Sequence, residues 1–179
     1  MADDAVHQRG AGESDDLERL WTPYRMAYIR GEERPSSTSA EECPFCRIPA
    51  RADDEGLVVH RGDTAYVVLN LFPYAAGHLM VCPYRHIPDY TDTTDEEVVE
   101  IGALTKRAME VVRTVSRAEG FNLGMNQGSA GGAGIRAHLH QHVVPRWVGD
   151  SNFMPIIGRT KTMPQLLADT RALLAQAWA

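Results

Sequence analysis

The sequence predicts an α+β fold: an antiparallel sheet with one long helix packed across it. Three observations lead there. Short runs of β-type residues are punctuated by turn residues, a single long stretch between them carries helical periodicity behind a strong N-terminal cap, and the last β-type run holds histidines at alternate positions. Leu57 to His60 and Ala65 to Leu69 are the first two runs, joined through Arg61-Gly62-Asp63 as a hairpin turn. His78 to Cys82 makes a third strand, entered through Gly77 and closed by Pro83. Thr93 to Glu97 offers two overlapping capping boxes, Thr93 with Glu96 and Thr94 with Glu97. Behind them Val98, Ile101, Leu104, Ala108, Val112 and Val115 mark one face of a long helix that Gly120 is suited to end. Phe121 to Met125 and Ala137 to Pro145 are the fourth and fifth strands, and the glycine-rich stretch from Gln127 to Gly134 joins them. A final helix is predicted from about Pro164 to Trp178, with Leu166, Leu167, Thr170, Leu173 and Leu174 inward.

The chain has 179 residues, enough for one domain with a full core and a tail. Residues 1–16 read as a disordered acidic tail, 17–42 as an N-terminal helical extension and linker, and 43–179 as the folded domain that carries the motifs. Within the extension Leu17, Leu20, Trp21, Tyr24 and Tyr28 recur at helical spacing, interrupted by Pro23. A net charge of −6 argues against a nucleic-acid polymer as partner, while leaving room for a small anion held locally. No stretch is long and apolar enough to cross a membrane, and the acidic N-terminus lacks the apolar core of a secretory signal. Three cysteines make no disulfide framework, so the expectation is a reduced, cytoplasmic protein.

The run His138-Leu-His140-Gln-His142-Val-Val-Pro-Arg146 carries most of the functional signal. In a strand, alternate side chains share a face, so the three imidazoles stand in a row at intervals of roughly 6–7 Å. A neutral imidazole is a fair nucleophile toward phosphorus, and neighbouring imidazoles can manage the leaving group's proton. The alternative is a surface strand that happens to carry histidines, or a metal clip. His140, with a histidine on each side, is the natural nucleophile. Gln127, Gly128, Ser129 and Gly134 form a loop just before the row, whose glycines can turn main-chain N–H groups toward phosphate. Arg146 reads equally as a phosphate contact and as a surface charge.

These residues resemble a known family. His-Leu-His-Gln-His-Val-Val, together with Val68-Leu-Asn-Leu-Phe-Pro-Tyr-Ala-Ala-Gly-His-Leu-Met-Val-Cys-Pro83, is similar to the paired signatures of the histidine triad (HIT) family over roughly residues 43–150. The resemblance implies the α+β fold, a homodimer or higher homo-oligomer, and nucleotide hydrolase or transferase activity. It makes His140 the nucleophile with His138 and His142 assisting, puts Asn70 at the ribose and places His78 along the nucleotide site. The segments around Trp21-Thr-Pro-Tyr-Arg-Met26 and Pro164 to Arg171 look like the actinobacterial diadenosine tetraphosphate phosphorylase branch, in which inorganic phosphate takes the nucleotide from the enzyme. Two positions depart from the family pattern. Gln141 is polar where an apolar residue is expected, and Gly134-Ile135 stands where a Gln-Ser or Gln-Thr pair is usual.

Cys43 and Cys46 have the Cys-x2-Cys spacing that lets two thiolates share one metal, which by itself is half a site. A redox pair or two incidental cysteines are the other readings. The family resemblance implies zinc, with His86 and His138 completing the set. The leading expectation is therefore an enzyme that splits dinucleoside polyphosphates through a nucleotidyl-His140 intermediate, with phosphate as acceptor. A hydrolase of dinucleoside polyphosphates or nucleoside phosphoramidates, a sugar-phosphate nucleotidyltransferase, and a nucleotide-binding protein without turnover are the alternatives.

Overall fold

Two strands whose residues are all buried, Ala65–Leu69 and Leu79–Pro83, organise the molecule, and their unbroken apolar runs are what a strand covered on both faces requires. The computed structural model describes residues 39–150 and 165–179. Within them a short helix α1 (Pro44–Arg47) precedes β1 (Val58–Arg61), β2 (Ala65–Leu69) and β3 (Leu79–Pro83). A long helix α2 (Asp95–Ser116) follows, then β4 (Gly120–Met125), β5 (Gln141–Arg146) and α3 (Leu167–Trp178). The five strands form one antiparallel sheet in the order β1-β2-β3-β5-β4. The α+β expectation is met. The N-terminal segments expected as tail and helical extension, and Pro164, lie outside the described residues.

Strand alternation divides the core in two. Ala65, Val67, Leu69, Leu79, Val81 and Val143 face α2 and α3 and pack with Ile101, Leu104, Ala108, Val112 and Leu174. Tyr66, Val68, Met80 and Cys82 face the other way, onto Cys43 and Phe45 of the α1 region. His142 is paired with Met80 across β5 and β3, so it stands on the face opposite the long helix. Gln141 pairs with Val81 and takes the helix side, where it is half-buried at the rim of a groove between α2 and β4. Its polarity therefore leaves the histidine face untouched.

Helix α2 is fixed at its start. Thr94 and Glu97 form the reciprocal capping box, a device worth about 1 kcal/mol. Thr93 does not share in it; its hydroxyl donates to the Tyr90 carbonyl at 2.6 Å. One turn on, the Glu100 carboxylate accepts from the N–H groups of Asp63 (2.8 Å), Thr64 (2.5 Å) and Ala65 (3.0 Å), pinning the β1–β2 turn to the helix through charge-assisted bonds.

Three expectations need correction. The helix ends at Ser116 on Arg117 in a left-handed conformation (φ 54°), and Gly120 instead opens β4 opposite Arg146. In α3 the inward stripe is Leu167, Leu174 and Trp178, while Leu166 and Leu173 are exposed, because the helix starts after Leu166 and its phase is set by Trp178 stacking on His60 at 4.9 Å and 17°. The fifth strand begins at Gln141, not Ala137. The β3–β5 ladder stops at the Val81–Gln141 pair. Pro83, two residues beyond, has no N–H to extend it, and the Leu139 N–H turns instead to the Ile87 carbonyl at 2.6 Å.

Candidate active site and metal centre

Where the ladder ends, the Pro83 carbonyl takes a side-chain partner. His138 Nε2 donates to it at 2.9 Å. That bond fixes the tautomer and turns the Nδ1 lone pair toward Cys43 Sγ (3.5 Å) and Cys46 Sγ (3.4 Å). His86 Nδ1 lies 3.2 Å from Cys46 Sγ. One ligand atom from each of Cys43, Cys46, His86 and His138 falls within 4.8 Å of all the others, a cluster able to hold a metal ion. The donor set itself asks for a cation. Burial, then the neighbouring Cys43, push the Cys46 thiol up to about 11, so two adjacent thiolates need a positive charge between them. All four residues that the sequence singles out as ligands are brought together here.

The same histidine orients the next. His140 Nδ1 lies 2.8 Å from the His138 carbonyl, which can only accept, so Nδ1 carries the proton and Nε2 keeps its lone pair. The Phe45 ring packs 4.9 Å from His140 and 5.4 Å from His138, and its own carbonyl accepts the Tyr66 hydroxyl at 2.7 Å. Phe45 is not singled out by the sequence; its place between the two cysteines of the cluster was the available signal.

At the far end of the row the tautomers are set from the β2–β3 loop. His78 Nδ1 receives the Tyr74 N–H (3.0 Å) and the Asn70 amide (3.3 Å), while Asn70 Oδ1 accepts from the Phe72 N–H (2.9 Å). With two donors on Nδ1, the His78 proton sits on Nε2 and is given to His142 Nδ1 at 2.9 Å. His142 is therefore left with its proton on Nε2. Its ring stands edge-on to His140 at 4.9 Å. His78, His138, His140 and His142 are all buried, and His86 is half-buried. Burial lowers the His140 pKa against the raising effect of its bond to the His138 carbonyl. Burial, then the neighbouring His140, bring His142 down to about 4.

The glycine-rich loop runs directly into this row. Gln127 Oε1 accepts the Tyr90 N–H at 2.6 Å, and a Cβ on Gly131 would meet the Gln127 carbonyl oxygen at 2.3 Å, so only glycine fits. Gly128 (φ 65°) and Gly132 (φ 77°) take left-handed conformations. Gly128 and Ser129 are exposed, Gly134 is half-buried, and Ile135 packs on the Cys43 side of the core. Arg146 is committed elsewhere: its guanidinium is held by Asp150 and by Asn122 Oδ1 (2.8 Å), which decides its equal readings in favour of a surface ion pair.

Residues 51–148 match the HIT domain family. Over 180 residues, 99% of this chain and 92% of the relative, the sequence is 51% identical to a protein of Mycobacterium tuberculosis named AP-4-A phosphorylase. Among solved structures, a zinc-bound histidine triad family protein from Mycobacterium smegmatis is similar at a TM-score of 0.63 and 27% identity, covering 78% of this chain and 95% of that one. A hypothetical histidine triad nucleotide-binding protein from Sulfolobus tokodaii matches at a TM-score of 0.64 and 25% identity, over 76% and 91%. With the paired histidine signatures, their fold and these likenesses in agreement, the chain belongs to the histidine triad family.

Proposed function

We propose that this enzyme cleaves dinucleoside polyphosphates, diadenosine tetraphosphate above all, by transferring a nucleotidyl group to His140 Nε2 and then to inorganic phosphate. The observation that carries the reading is the His140 tautomer: a lone pair on Nε2, held there by the bond from Nδ1 to the His138 carbonyl. The M. tuberculosis relative and its name support the choice of substrate and acceptor. In the first step His140 Nε2 bonds to the α-phosphorus, the bridging P–O bond breaks, and ATP departs. The Nδ1 proton stays in place, and the His138 carbonyl stabilises the charge that the ring acquires. A phosphate oxygen then bonds to the same phosphorus, the N–P bond breaks, and ADP leaves. His142 contributes its Nε2–H as a hydrogen-bond donor to the phosphate oxygens. Asn70 keeps one Oδ1 lone pair and one amide hydrogen for the ribose. The Gly132 and Ala133 N–H groups hold the loop through the Ser129 and Gly128 carbonyls, and the other main-chain N–H groups from Gly128 to Gly134, with Ser129 and Gln127, cradle the polyphosphate.

Zinc suits the cysteine–histidine cluster. Bonds of about 2.3 Å to sulfur and 2.0–2.1 Å to nitrogen give tetrahedral S···N edges of about 3.5 Å, and three of the four S···N separations here are 3.2–3.5 Å. Zinc at that position would hold His138, and through its carbonyl His140, without touching substrate. Thiolate ligands need a reducing compartment, which fits a cytoplasmic setting. A homodimer is supported by β4, which pairs only with β5 among the described residues. Leu123 on that strand and Val99 on α2 are exposed, and a Cβ on Gly102 or Gly124 would find no atom within 4 Å, so the surface there is open to a second copy.

Incubating diadenosine tetraphosphate with the protein should give ADP and ATP only when phosphate is present, and His140→Ala should cut turnover by at least about 10³-fold. AMP and ATP regardless of phosphate would move the assignment to a hydrolase, and unchanged turnover in His140→Ala would end the nucleotidyl-histidine reading. Elemental analysis of chelator-free protein should find one zinc per chain, lost in Cys46→Ser; reduced protein that neither contains nor takes up zinc would remove it. Sedimentation at micromolar concentration should return at least twice the chain mass, and a single-chain mass would exclude the dimer.

The pH behaviour follows from His142. Its folded pKa, about 4, lies below the ordinary 6.5, so the unfolded chain binds the proton more readily. The stability it contributes is whole above about pH 6.5 and is lost as pH falls toward 4. Titration of the His142 Cε1–H resonance should show a midpoint near the lower value, and a midpoint at 6.5 contradicts the buried neutral ring.

A further inference from the structure

The histidine row ends against the loop between β2 and β3, and one residue of that loop holds the terminal pair from two directions. The main-chain N–H of Tyr74 donates to His78 Nδ1 at 3.0 Å. Its ring lies 4.7 Å from the His78 ring at 38° and 5.6 Å from the His142 ring at 36°, while the two imidazoles are 5.0 Å apart. The three rings make a triangle in which Tyr74 is the solvent-facing member, 47% exposed against two buried histidines. The loop that presents it is tied down at several points. Asn70 N–H donates to the His78 carbonyl (2.9 Å), His78 N–H donates to the Ala75 carbonyl (3.2 Å), and Gly77 at φ 74° turns the chain into β3.

A hydrogen bond between two neutral imidazoles has two equivalent solutions, since either nitrogen can carry the shared proton. The choice here decides the reaction: with the proton on His142 Nδ1, its Nε2 would face substrate as a lone pair and repel a phosphate oxygen. A main-chain N–H can only donate, so the Tyr74 amide, with the Asn70 side-chain amide beside it, removes the degeneracy. Imidazole χ2 torsions are also broad, so the pair needs a wall against which to hold its planes. The Tyr74 ring is in contact with both.

We propose that Tyr74 is a positioning residue of the nucleotidyl transfer: its main-chain N–H and its ring together keep the His78–His142 pair in one tautomer and one orientation, with the His142 Nε2–H toward the reacting phosphate. This rests on the assignment of nucleotidyl transfer to His140. The Gly-His strand signature assigns it no role, and the residue lies four positions before His78 in a loop.

The test uses the full-length protein with Tyr74→Phe and Tyr74→Ala. Tyr74→Phe keeps ring and amide, and its kcat should stay within about twofold of the parent. Tyr74→Ala should lower kcat about tenfold, the scale of a modest misplacement of a reacting group, with KM within about twofold. The ¹⁵N resonances of His142 should be split in the parent, unprotonated Nδ1 against protonated Nε2, and should move toward each other in Tyr74→Ala, which keeps the main-chain N–H but lets the pair, without the ring against it, swing away from that donor part of the time. If the alanine variant fails to fold, Tyr74→Leu, apolar but not aromatic, takes its place with the same expectation. Overturning results are an unchanged kcat, a rise in KM alone, or a fall in kcat with the His142 resonances unmoved. A parent protein whose His142 carries its proton on Nδ1 would also overturn it. The ¹⁵N comparison needs no substrate, so failure of the parent to turn over dinucleoside polyphosphates would defeat the functional assignment while leaving this inference to be decided on the spectra.

Discussion

The bond from His140 Nδ1 to the His138 carbonyl is the constraint on which the site depends. An imidazole that can choose its tautomer is a nucleophile only part of the time; one whose Nδ1–H is committed to a carbonyl presents Nε2 permanently. That carbonyl must itself be held still. His138 is fixed at its side chain by the Pro83 carbonyl on one nitrogen and by the cysteine cluster on the other. The cysteine–histidine cluster and the proposed nucleophile are thus consecutive links of one chain of bonds, joined through a single residue's main and side chains. A metal there can matter to catalysis without any contact with substrate.

Most of the architecture was legible because the sequence obeys simple periodicities. The buried runs of β2 and β3, the Thr94–Glu97 capping box and the apolar stripe of α2 are each local signals, and each appears where the spacing puts it. What was not legible depends on partners distant in sequence. Gly120 looked like a helix stop, but Arg117 ended the helix because β4 had to begin opposite Arg146. Leu166 and Leu173 looked like core residues, but the phase of α3 is set by Trp178 on His60, more than a hundred residues away. The fifth strand looked as if it should include all three histidines, and only His142 lies in the ladder, because the residue that faces its continuation is a proline.

The site was legible in composition and not in wiring. The three histidines, the Cys-x2-Cys pair, His86 and His78 are all recognisable from the chain, and the fold gathers them as two groups sharing a row. Which nitrogen of each ring bears the proton is decided by main-chain groups of Pro83, His138 and Tyr74, and main-chain groups have no letter in a sequence. Phe45 and Tyr74, the aromatic rings packed at the two ends of the row, stand inside the quoted motifs, but at positions to which those motifs assign no ligand or nucleophile.

That wiring also explains how this chain departs from its family pattern while keeping the histidine geometry. Gln141 occupies an alternate position of the row, and alternation turns it to the helix side of the sheet, beside α2 and β4. Its amide donates to the neighbouring His142 carbonyl at 3.0 Å and leaves the imidazole free to pair with His78. Gly134-Ile135 lies before His138, and the apolar Ile135 joins the core around Cys43 instead of reaching the row. Both departures fall outside the bonds that set the four tautomers. They change what would lie beside the phosphate in the proposed reaction, while His140 Nε2 keeps its lone pair. A difference of acceptor between relatives of this fold is therefore to be sought in the loop from Gln127 to Ile135, where the polar side chains have changed, before it is sought in the histidines.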